Sequence, residues 1–288
     1  MTLAVDKSQG NMTLKIKRAF CYFVLILITF ICLFPFYILL INSTRSHPDI
    51  QKGFSILPGG SVLFNLKNVF SNEELPILNG ILNSILISSL NALLSTYFSA
   101  MTAFGIHAYS FRLRKAAYLF ILLVMMVPTQ VSALGFIRLI TSFNLMNSFI
   151  PLIVPSIAAP IVFFFMKQYM ESALPLEIVE SSRIDGANEF RTFNQIVLPI
   201  MKPAIAVQAI FSFVASWNNY FLPSLILESA KKKTLPILIA QLRSADYLKF
   251  DMGQVYILIA IAIFPVMIAY LIMSKFIVRG VALGSVKG

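Results

Sequence analysis

The feature that most limits the fold of this chain is a series of six long apolar stretches without a charged residue inside them. A helix of about 20 apolar residues spans the hydrocarbon core of a bilayer, and in lipid only helices and closed barrels satisfy their own backbone. The stretches are continuous rather than alternating, which favours helices. We therefore predict an all-α polytopic membrane protein with six transmembrane helices. The predicted spans are Ala19–Ile41, Ile77–Ile106, Ala116–Ile137, Phe149–Met166, Ala204–Leu227 and Val255–Ser274.

Composition excludes several other classes. Only 12% of the residues are charged, about half the share of a soluble globular protein. The net charge of +11 does not indicate nucleic acid binding, because the basic residues lie between the apolar stretches. Cys21 and Cys32 lie about 16 Å apart along the first predicted helix, too far for a disulfide. Lys15, Lys17 and Arg18 precede that helix as in a signal peptide, but the stretch is too long for one, so we expect a retained anchor.

The distribution of lysine and arginine predicts the orientation. More of them fall on the side of the N-terminus than on the other side, which places both termini in the cytoplasm. The last outer segment is an exception, since it contains Lys231, Lys232 and Lys233. The predicted parts are a cytoplasmic N-terminal segment at 1–18, a transmembrane domain at 19–277 with a polar loop at 171–203, and a cytoplasmic tail at 278–288.

The second apolar stretch is unusually rich in Ser, Thr and Asn, including Ser84, Ser88 and Asn91. Small polar residues let membrane helices approach closely and form hydrogen bonds, so we expect this helix to be central. Prolines inside spans, such as Pro128 and Pro160, predict kinks, which recur in transporters. The predicted spans contain no Asp, Glu or Lys, which disfavours a proton relay.

The polar loop at 171–203 is predicted to contain two short helices outside the membrane. Pro175 suits a first helical turn, and Glu177 and Glu180 follow where negative charge is favourable. We expect this first helix to end near Ile184. By pattern alone, an amphipathic connector between two spans is the simpler interpretation.

The second helix of the loop is predicted from its cap and its apolar spacing. Asp185 is a good N-cap, Gly186 allows a sharp turn with close backbone approach, and Ala187 offers a small contact surface. We expect Pro199 and Pro203 to end the helix before the next span. The predicted apolar stripe is Phe190, Phe193 and Val197.

The loop also has a diagnostic spacing, E-x4-D-G-A-x5-F-x4-L-P-x3-P, from Glu180 to Pro203. It resembles the "EAA" loop of bacterial ABC importer permeases, the surface that couples a permease to its ATPase. Ser181 and Ser182 stand where the family usually has two alanines, a change of small residue for small residue. The coupling residues that the resemblance implies are Glu180, Ser181, Ser182, Asp185, Gly186, Ala187, Phe193 and Pro199.

The resemblance extends over nearly the whole chain. The six-span layout is similar to the carbohydrate importer branch, and the chain looks like the shorter, maltose-permease-G-type subunit of its permease pairs. The segments Trp217–Pro223 and Thr234–Pro236 match that subfamily, as do Phe276–Gly280 and Gly284–Gly288 near the end. The resemblance implies a permease of the bacterial cytoplasmic (inner) membrane that translocates a saccharide by ATP-driven alternating access.

The resemblance also implies partners. These are a second permease in a heterodimer, an ATPase dimer that binds ATP and Mg, an extracytoplasmic solute-binding protein, the saccharide and membrane lipid, but no nucleic acid. We expect no cofactor, no metal and no catalytic residue in this chain itself. The sequence contains no G-x-x-x-x-G-K-[ST] phosphate-binding loop, so ATP hydrolysis is expected on a separate chain.

Candidate pathway residues lie in the fifth stretch, where Trp217, Asn218, Asn219 and Tyr220 are consecutive. Sugar recognition uses amide hydrogen bonds and an aromatic face, and polar groups within a span are costly unless they are paired or face a cavity. Gln130, after Pro128, is a weaker candidate. Interfacial anchoring of the aromatic residues and hydrogen bonds between helices are the open alternatives.

The outer lysines, Lys231–Lys233, are most simply a solvated loop. Two functional interpretations are docking of an acidic binding protein and attraction of an acidic saccharide such as a uronate oligomer. Other classes stay open for the chain as a whole, namely an ATP-independent secondary carrier, an importer for a non-sugar solute and an intramembrane enzyme. The absence of a catalytic constellation disfavours the enzyme.

Overall fold

The computed structural model describes residues 6–72, 75–244 and 251–284, with side chains at 14–72, 75–244 and 251–272. The described chain is helical, as predicted. The helices are α1 Asp6–Ser43, α2 His47–Gln51, α3 Val62–Phe70, α4 Ile77–Ala108, α5 Arg114–Met125, α6 Thr129–Ser142, α7 Ile150–Ile153, α8 Pro160–Ala173, α9 Leu176–Ile184, α10 Glu189–Thr192, α11 Leu198–Trp217, α12 Phe221–Ile226, α13 Leu235–Arg243 and α14 Met252–Gly284.

The described residues form two compact units, and the first contains the chain up to Val69 together with the start of α14 up to Ala260. Its helix α1 is almost entirely exposed and strongly apolar over Leu14–Ser43, as expected of a span that lipid surrounds. Cys21 and Cys32 are both exposed, unbridged thiols on this helix.

A buried polar cluster orders the loops of the first unit. The Arg45 guanidinium donates to the side-chain oxygen of Asn42 at 3.2 Å and to the carbonyl of Gly53 at 3.0 Å. The amide of Asn65 donates to the carbonyls of Ser43 at 2.9 Å and Arg45 at 3.0 Å. These partners offset part of the desolvation cost of the cluster, although the side-chain oxygen of Asn65 is buried and accepts no hydrogen bond from the described residues.

The second unit is built around α4. This helix packs against α8, α11 and α13 and buries small polar residues along its length, including Ser84, Ser88, Ser95 and Ser99. The prediction of a central second helix is therefore confirmed. Gly80 shows how closely α13 approaches, since an added Cβ there would overlap the side chain of Leu238.

The third predicted span is not one straight helix. It breaks between α5 and α6, whose axes differ by 98°. Pro128 lies at the break in an extended conformation, with φ −62° and ψ 133°. Proline has no N–H and pushes the preceding residue out of the helical region, which explains the break at this point.

The fourth span begins near its predicted position but ends later. A short 3₁₀ turn, Val154–Ile157, separates α7 from α8, and the apolar segment runs over Ile150–Ala173. This segment therefore continues past the predicted end at Met166 and includes charged residues that the predicted span did not contain. Lys167 is buried and pairs with Glu171 one turn further along α8, so the charge is compensated rather than absent.

The fifth predicted span, Ala204–Leu227, is shifted towards the N-terminus. The apolar helical segment covers Glu189–Trp217, and the chain leaves the helix at Asn218 before α12 begins. Pro223 accounts for this break, because a continuous helix would place its ring against the carbonyl of Asn219.

The last helix, α14, begins near the predicted start of the sixth span but extends to Gly284. Its backbone is therefore helical through part of the segment that the sequence assigned to a tail at 278–288, while 285–288 lie outside the described residues. By length and composition, five of the described helical segments are able to span a membrane, or six if α5 and α6 count as one broken span.

Candidate functional site

The polar loop forms a hairpin, defined here as Pro175 to Val197. Its first helix, α9, ends at Ile184 as predicted. Asp185 is the C-cap of α9 and not an N-cap, which corrects the sequence interpretation. Gly186 follows with φ +78°, a left-handed conformation that favours glycine. No atom lies within 4 Å of the position of an added Cβ there, so the predicted close approach is not present.

Backbone hydrogen bonds show what the left-handed conformation of Gly186 does at this turn. Gly186 N donates to the carbonyl of Arg183 at 3.0 Å, and Ala187 N donates to that of Ser182 at 3.1 Å. This pair is the Schellman arrangement, in which a left-handed residue satisfies the last carbonyls of a helix. The turn is therefore a C-terminal cap of α9 that sets the direction of the chain towards α10.

The second helix of the hairpin begins at α10, with Asn188 as its N-cap. The Asn188 side chain accepts from Arg191 N at 2.8 Å. One π turn, Phe193–Val197, joins α10 to α11. Pro199 lies in the first turn of α11 and Pro203 lies inside it, so the prediction that they end the helix was wrong. The wider π turn directly precedes Pro199, which lacks a donor for the regular bonding pattern.

Phe193 attaches the hairpin to α4. It is 2% exposed, and its ring centroid lies 5.6 Å from that of Tyr97 and 5.8 Å from that of Phe104. Val197 is also buried in this core, but Phe190 is 70% exposed. The predicted apolar stripe was therefore correct for two of its three residues.

Polar contacts complete the attachment. The Ser182 and Thr192 hydroxyls lie 2.6 Å apart and are buried, which joins α9 to α10. Arg183 pairs with Glu189 at 2.9 Å and lies over the Tyr109 ring at 5.0 Å, while the Tyr109 hydroxyl donates to Glu189. Burial raises the pKa of the Tyr109 phenol, and the bond to Glu189 raises it further.

The remaining hairpin residues form an exposed tip. Glu180, Ser181, Asp185 and Gly186 are exposed and Ala187 is half-buried. Two apolar side chains share this surface, because Ile184 is 86% exposed and Phe190 is 70% exposed. Sequence reasoning did not assign a role to Ile184. An isoleucine at the predicted end of a helix outside the membrane could have indicated an exposed apolar contact. The tip presents apolar groups beside carboxylates.

A second candidate site lies beside the first half of α4. It is a cavity of about 310 Å³, here called the α4 cavity. Ser84, Ser88 and Asn91 of α4 line it, with further hydroxyls from α6 and from the end of α11. No charged side chain is among the described residues that line it. No group of three or more His, Cys, Asp or Glu side chains in the described chain is placed to hold a metal ion.

The hydroxyls of the α4 cavity differ in their partners. Ser84 Oγ accepts from Leu235 N at 2.8 Å, and Asn91 donates to Ser216 Oγ at 2.8 Å. Ser88 is 0% exposed and Thr234 is 4% exposed, and within the part of the chain that the structure describes neither hydroxyl has a hydrogen-bond partner. Sequence reasoning named Ser88 as a small polar residue of the second stretch and Thr234 as part of the Thr234–Pro236 segment, but it assigned neither to the substrate pathway.

The predicted pathway residues are only partly brought together. Asn219 lines the α4 cavity, but Trp217 is buried elsewhere, where its indole N–H donates to the carbonyl of Ala262 at 3.1 Å. Asn218 and Tyr220 are exposed at the break after α11. Gln130 is exposed as well, while its neighbour in α6, Thr129, lines the cavity.

The Lys231–Lys233 segment is held by hydrogen bonds to α4 and to the loop before α7. Asn83 donates to the carbonyls of Lys231 at 2.9 Å and Lys233 at 3.0 Å. The Lys232 ammonium donates to the carbonyl of Asn147 at 2.6 Å. These hydrogen bonds therefore hold the segment in place, and Thr234 follows it directly in the chain.

Comparison with known proteins identifies the family to which this chain belongs. Residues 95–283 match the family described as binding-protein-dependent transport system inner membrane component. The arabinooligosaccharides transport system permease protein AraQ of Bacillus subtilis (strain 168) is 31% identical, over 91% of this chain and 93% of that protein. The lactose transport system permease protein LacG of Rhizobium radiobacter is 29% identical, over 92% and 95%.

A solved structure shares the fold. The crystal structure of a bacterial ABC transporter involved in the import of the acidic polysaccharide alginate contains a chain that superposes with a TM-score of 0.79. The match covers 95% of this chain and 99% of that chain, at 19% sequence identity. At this identity the likeness extends to the fold alone.

Proposed function

This chain belongs to the family of binding-protein-dependent transport system inner membrane components, and from that premise we propose that it is the permease subunit of a saccharide ABC importer. It is a multi-pass membrane transport subunit rather than an enzyme. The relatives named for arabinooligosaccharides and lactose, aligned over nine tenths of this chain, support a saccharide as the transported solute. The observation that carries the proposal is the hairpin.

The hairpin is suited to dock on an ATPase subunit. Its buried side carries Phe193, which is fixed between aromatic rings of α4. Its exposed side carries Ile184 and Phe190. Exposed apolar side chains that lie together mark surfaces where another protein binds. We assign these two residues as apolar anchors and Glu180 and Asp185 as the acidic rim of the docking surface.

We assign the energy supply for transport to ATP hydrolysis by the ATPase subunit. The full sequence has no phosphate-binding loop of the Walker type, so ATP and Mg belong to the ATPase dimer. A second permease completes the pathway, and a solute-binding protein delivers the saccharide from outside. In this arrangement both termini lie in the cytoplasm, and so does the hairpin, while Lys231–Lys233 face the binding protein.

The experiment that tests the proposal is co-purification from detergent-solubilised native membranes. We expect a second permease and an ATPase to purify with this chain, and ATP hydrolysis to rise when a saccharide and its binding protein are added. A chain that purifies alone, takes up solute without ATP or has no associated ATPase would instead support a secondary carrier and remove the role of the hairpin.

A pair of variants tests the docking surface itself. Ile184→Ala with Phe190→Ala removes the exposed apolar tip, and we expect at least a tenfold loss of ATPase co-purification, since central apolar anchors dominate interfaces. Phe211→Ala is the matched control, because Phe211 is also exposed, at a position on α11 outside the hairpin. Equal ATPase recovery with all variants would remove Ile184 and Phe190 from the interface.

A further inference from the structure

We infer that the α4 cavity binds one uncharged sugar residue and so makes this permease selective for neutral saccharides. This inference rests on the proposed function and adds the chemical class of the substrate and the residues that contact it. It assigns direct hydrogen bonds from the substrate to Ser88 and Thr234. Neither residue belongs to the hairpin or to the Trp217–Tyr220 cluster.

The first support is the state of these two hydroxyls. A buried hydroxyl without a partner has lost its hydration without compensation, so such groups are rare in native proteins. Ser88 Oγ and Thr234 Oγ1 are both in this state in the described chain, and both line the same cavity. They reach it from distant parts of the sequence. Because neither oxygen has accessible surface, each side chain would have to turn into the cavity, and a ligand with several hydroxyls would then satisfy both.

The second support is the mixture of surfaces in the cavity. Sugar rings present hydroxyls at their edges and C–H groups on their faces. Around the cavity, Ser132 and Asn219 add polar groups suited to the edge of a sugar ring. Phe136, Pro155 and Leu222 provide apolar walls suited to its face. Small-ligand sites are mainly apolar with a few placed polar groups, and a volume of about 310 Å³ is at the lower end of their usual range, roughly 300–1,000 Å³. The cavity therefore suits a single ring.

The third support is the absence of charge. No Lys, Arg, His, Asp or Glu is among the described lining residues. A carboxylate placed there would lose its hydration without gaining a cationic partner, which is strongly unfavourable. A uronate residue would meet this penalty, whereas a neutral sugar residue would not.

The nearby lysines do not change this assignment. Lys231 and Lys232 are exposed, and the Lys232 ammonium is held by the carbonyl of Asn147. None of the three lysines lines the cavity. Their charge therefore acts at the outer surface, where solvent screens it.

The test uses the importer purified with its permease, ATPase and binding-protein partners in proteoliposomes. Uptake is measured with labelled neutral saccharides, including lactose and arabinotriose, and with uronate oligomers, including an alginate trisaccharide. We expect uptake of a neutral saccharide at least tenfold above that of any uronate oligomer. We expect Ser88→Ala and Thr234→Val each to raise KM about tenfold, the loss of about one hydrogen bond to a ligand.

Two control variants separate binding from folding. Ser95 and Thr96 are buried hydroxyl residues on α4 whose side chains bond to the carbonyl of Ala92. Ser95→Ala and Thr96→Val should keep KM within about twofold of the unaltered importer. The amount of each variant in the membrane and its melting temperature are recorded alongside.

The outcomes distinguish the two proposals. Uptake of uronate oligomers in preference to neutral saccharides, or an unchanged KM in both Ser88→Ala and Thr234→Val, would overturn the cavity assignment and leave the importer proposal intact. A complex that responds to no saccharide in either group would overturn the proposed function together with this inference.

Discussion

The two halves of α4 differ in what they contact. Around Ser84–Asn91 the helix borders a cavity, and two buried hydroxyls there have no described partner. Around Tyr97–Phe104 one side of the same helix is packed against the hairpin through aromatic rings and apolar side chains, while Ser99 and Thr102 border a separate cavity of about 330 Å³. The two regions are about 24 Å apart along the helix axis, measured from Ser88 to Phe104.

This difference indicates how one helix serves two tasks. A binding site needs polar groups that a ligand can satisfy, at some cost to the empty protein. A mechanical contact needs dense packing, because a close-packed interior has low compressibility and transmits displacement. On the proposed function, α4 carries movement of the hairpin to the cavity as a rigid element. The predictions below test each half separately.

The largest effect is expected from Gly186→Pro. Proline fixes φ near −65° and has no N–H, whereas Gly186 has φ +78° and donates to the carbonyl of Arg183. We expect saccharide uptake to fall more than a hundredfold while membrane insertion is kept. Gly186→Asn is the matched control, since asparagine tolerates the left-handed conformation, and it should retain most of the uptake. Full transport by Gly186→Pro would contradict the role of the turn.

The next effect compares two phenylalanines of the hairpin. Phe193→Ala should lower the free energy of unfolding by about 3–5 kcal/mol, the usual cost of deleting a buried ring, and should uncouple ATP hydrolysis from uptake. Phe190→Ala, at an exposed ring, should leave stability within about 0.5 kcal/mol and weaken only ATPase association. Thermal unfolding in detergent with a pull-down measures both. Similar stability losses in the two variants would mean that the buried ring of Phe193 is not what holds the hairpin against α4.

The third effect concerns the Lys231–Lys233 segment. Replacement of Lys231, Lys232 and Lys233 by Glu should lower uptake several-fold at low salt and less at 0.5 M salt, because screening shortens the reach of surface charge. Replacement by Gln should give a smaller loss with little salt dependence. Since the inferred substrate is neutral, such a loss would indicate docking of an acidic surface of the binding protein. Unchanged uptake with Glu at every salt concentration would leave this segment a solvated loop.

Much of the fold follows from local sequence. The long uncharged stretches predict the helices, and the small polar residues of the second stretch predict its central position, since both signals depend on neighbours along one helix. The hairpin was predicted as two short helices, and the end of α9 at Ile184 was correct. Asp185 was assigned to the wrong helix, because aspartate suits an N-cap, and only the positive φ of Gly186 shows that the turn closes α9.

The breaks and the cavity were not predictable in the same way. A proline inside a span either bends a helix or ends it, and the outcome depends on packing. Pro128 lies in the break before α6, as its N-cap, whereas Pro203 lies within a helix. The α4 cavity unites Ser88 with Thr234, which are far apart in the chain. Such a meeting depends on tertiary packing, so motif reasoning selected the neighbours Asn219 and Gln130 and not these two.

The smallest effect tests whether a lining residue already has a partner. Asn91 and Ser216 both line the cavity, but they bond to each other at 2.8 Å and so join α4 to α11. A double-mutant cycle with Asn91→Ala and Ser216→Ala should give a coupling of about 0.6 kcal/mol, the average for such bonds in membranes. Unfolding in detergent measures it.

Neither of these substitutions should raise KM more than about threefold, in contrast with the tenfold rise expected for Ser88→Ala. The reason is that the Asn91–Ser216 bond is satisfied without ligand, so a sugar gains little by replacing it. A tenfold rise for Asn91→Ala with no change for Ser216→Ala would show that Asn91 contacts the substrate directly. The bound sugar would then reach further along α4, towards Tyr97, than the unpartnered hydroxyls indicate.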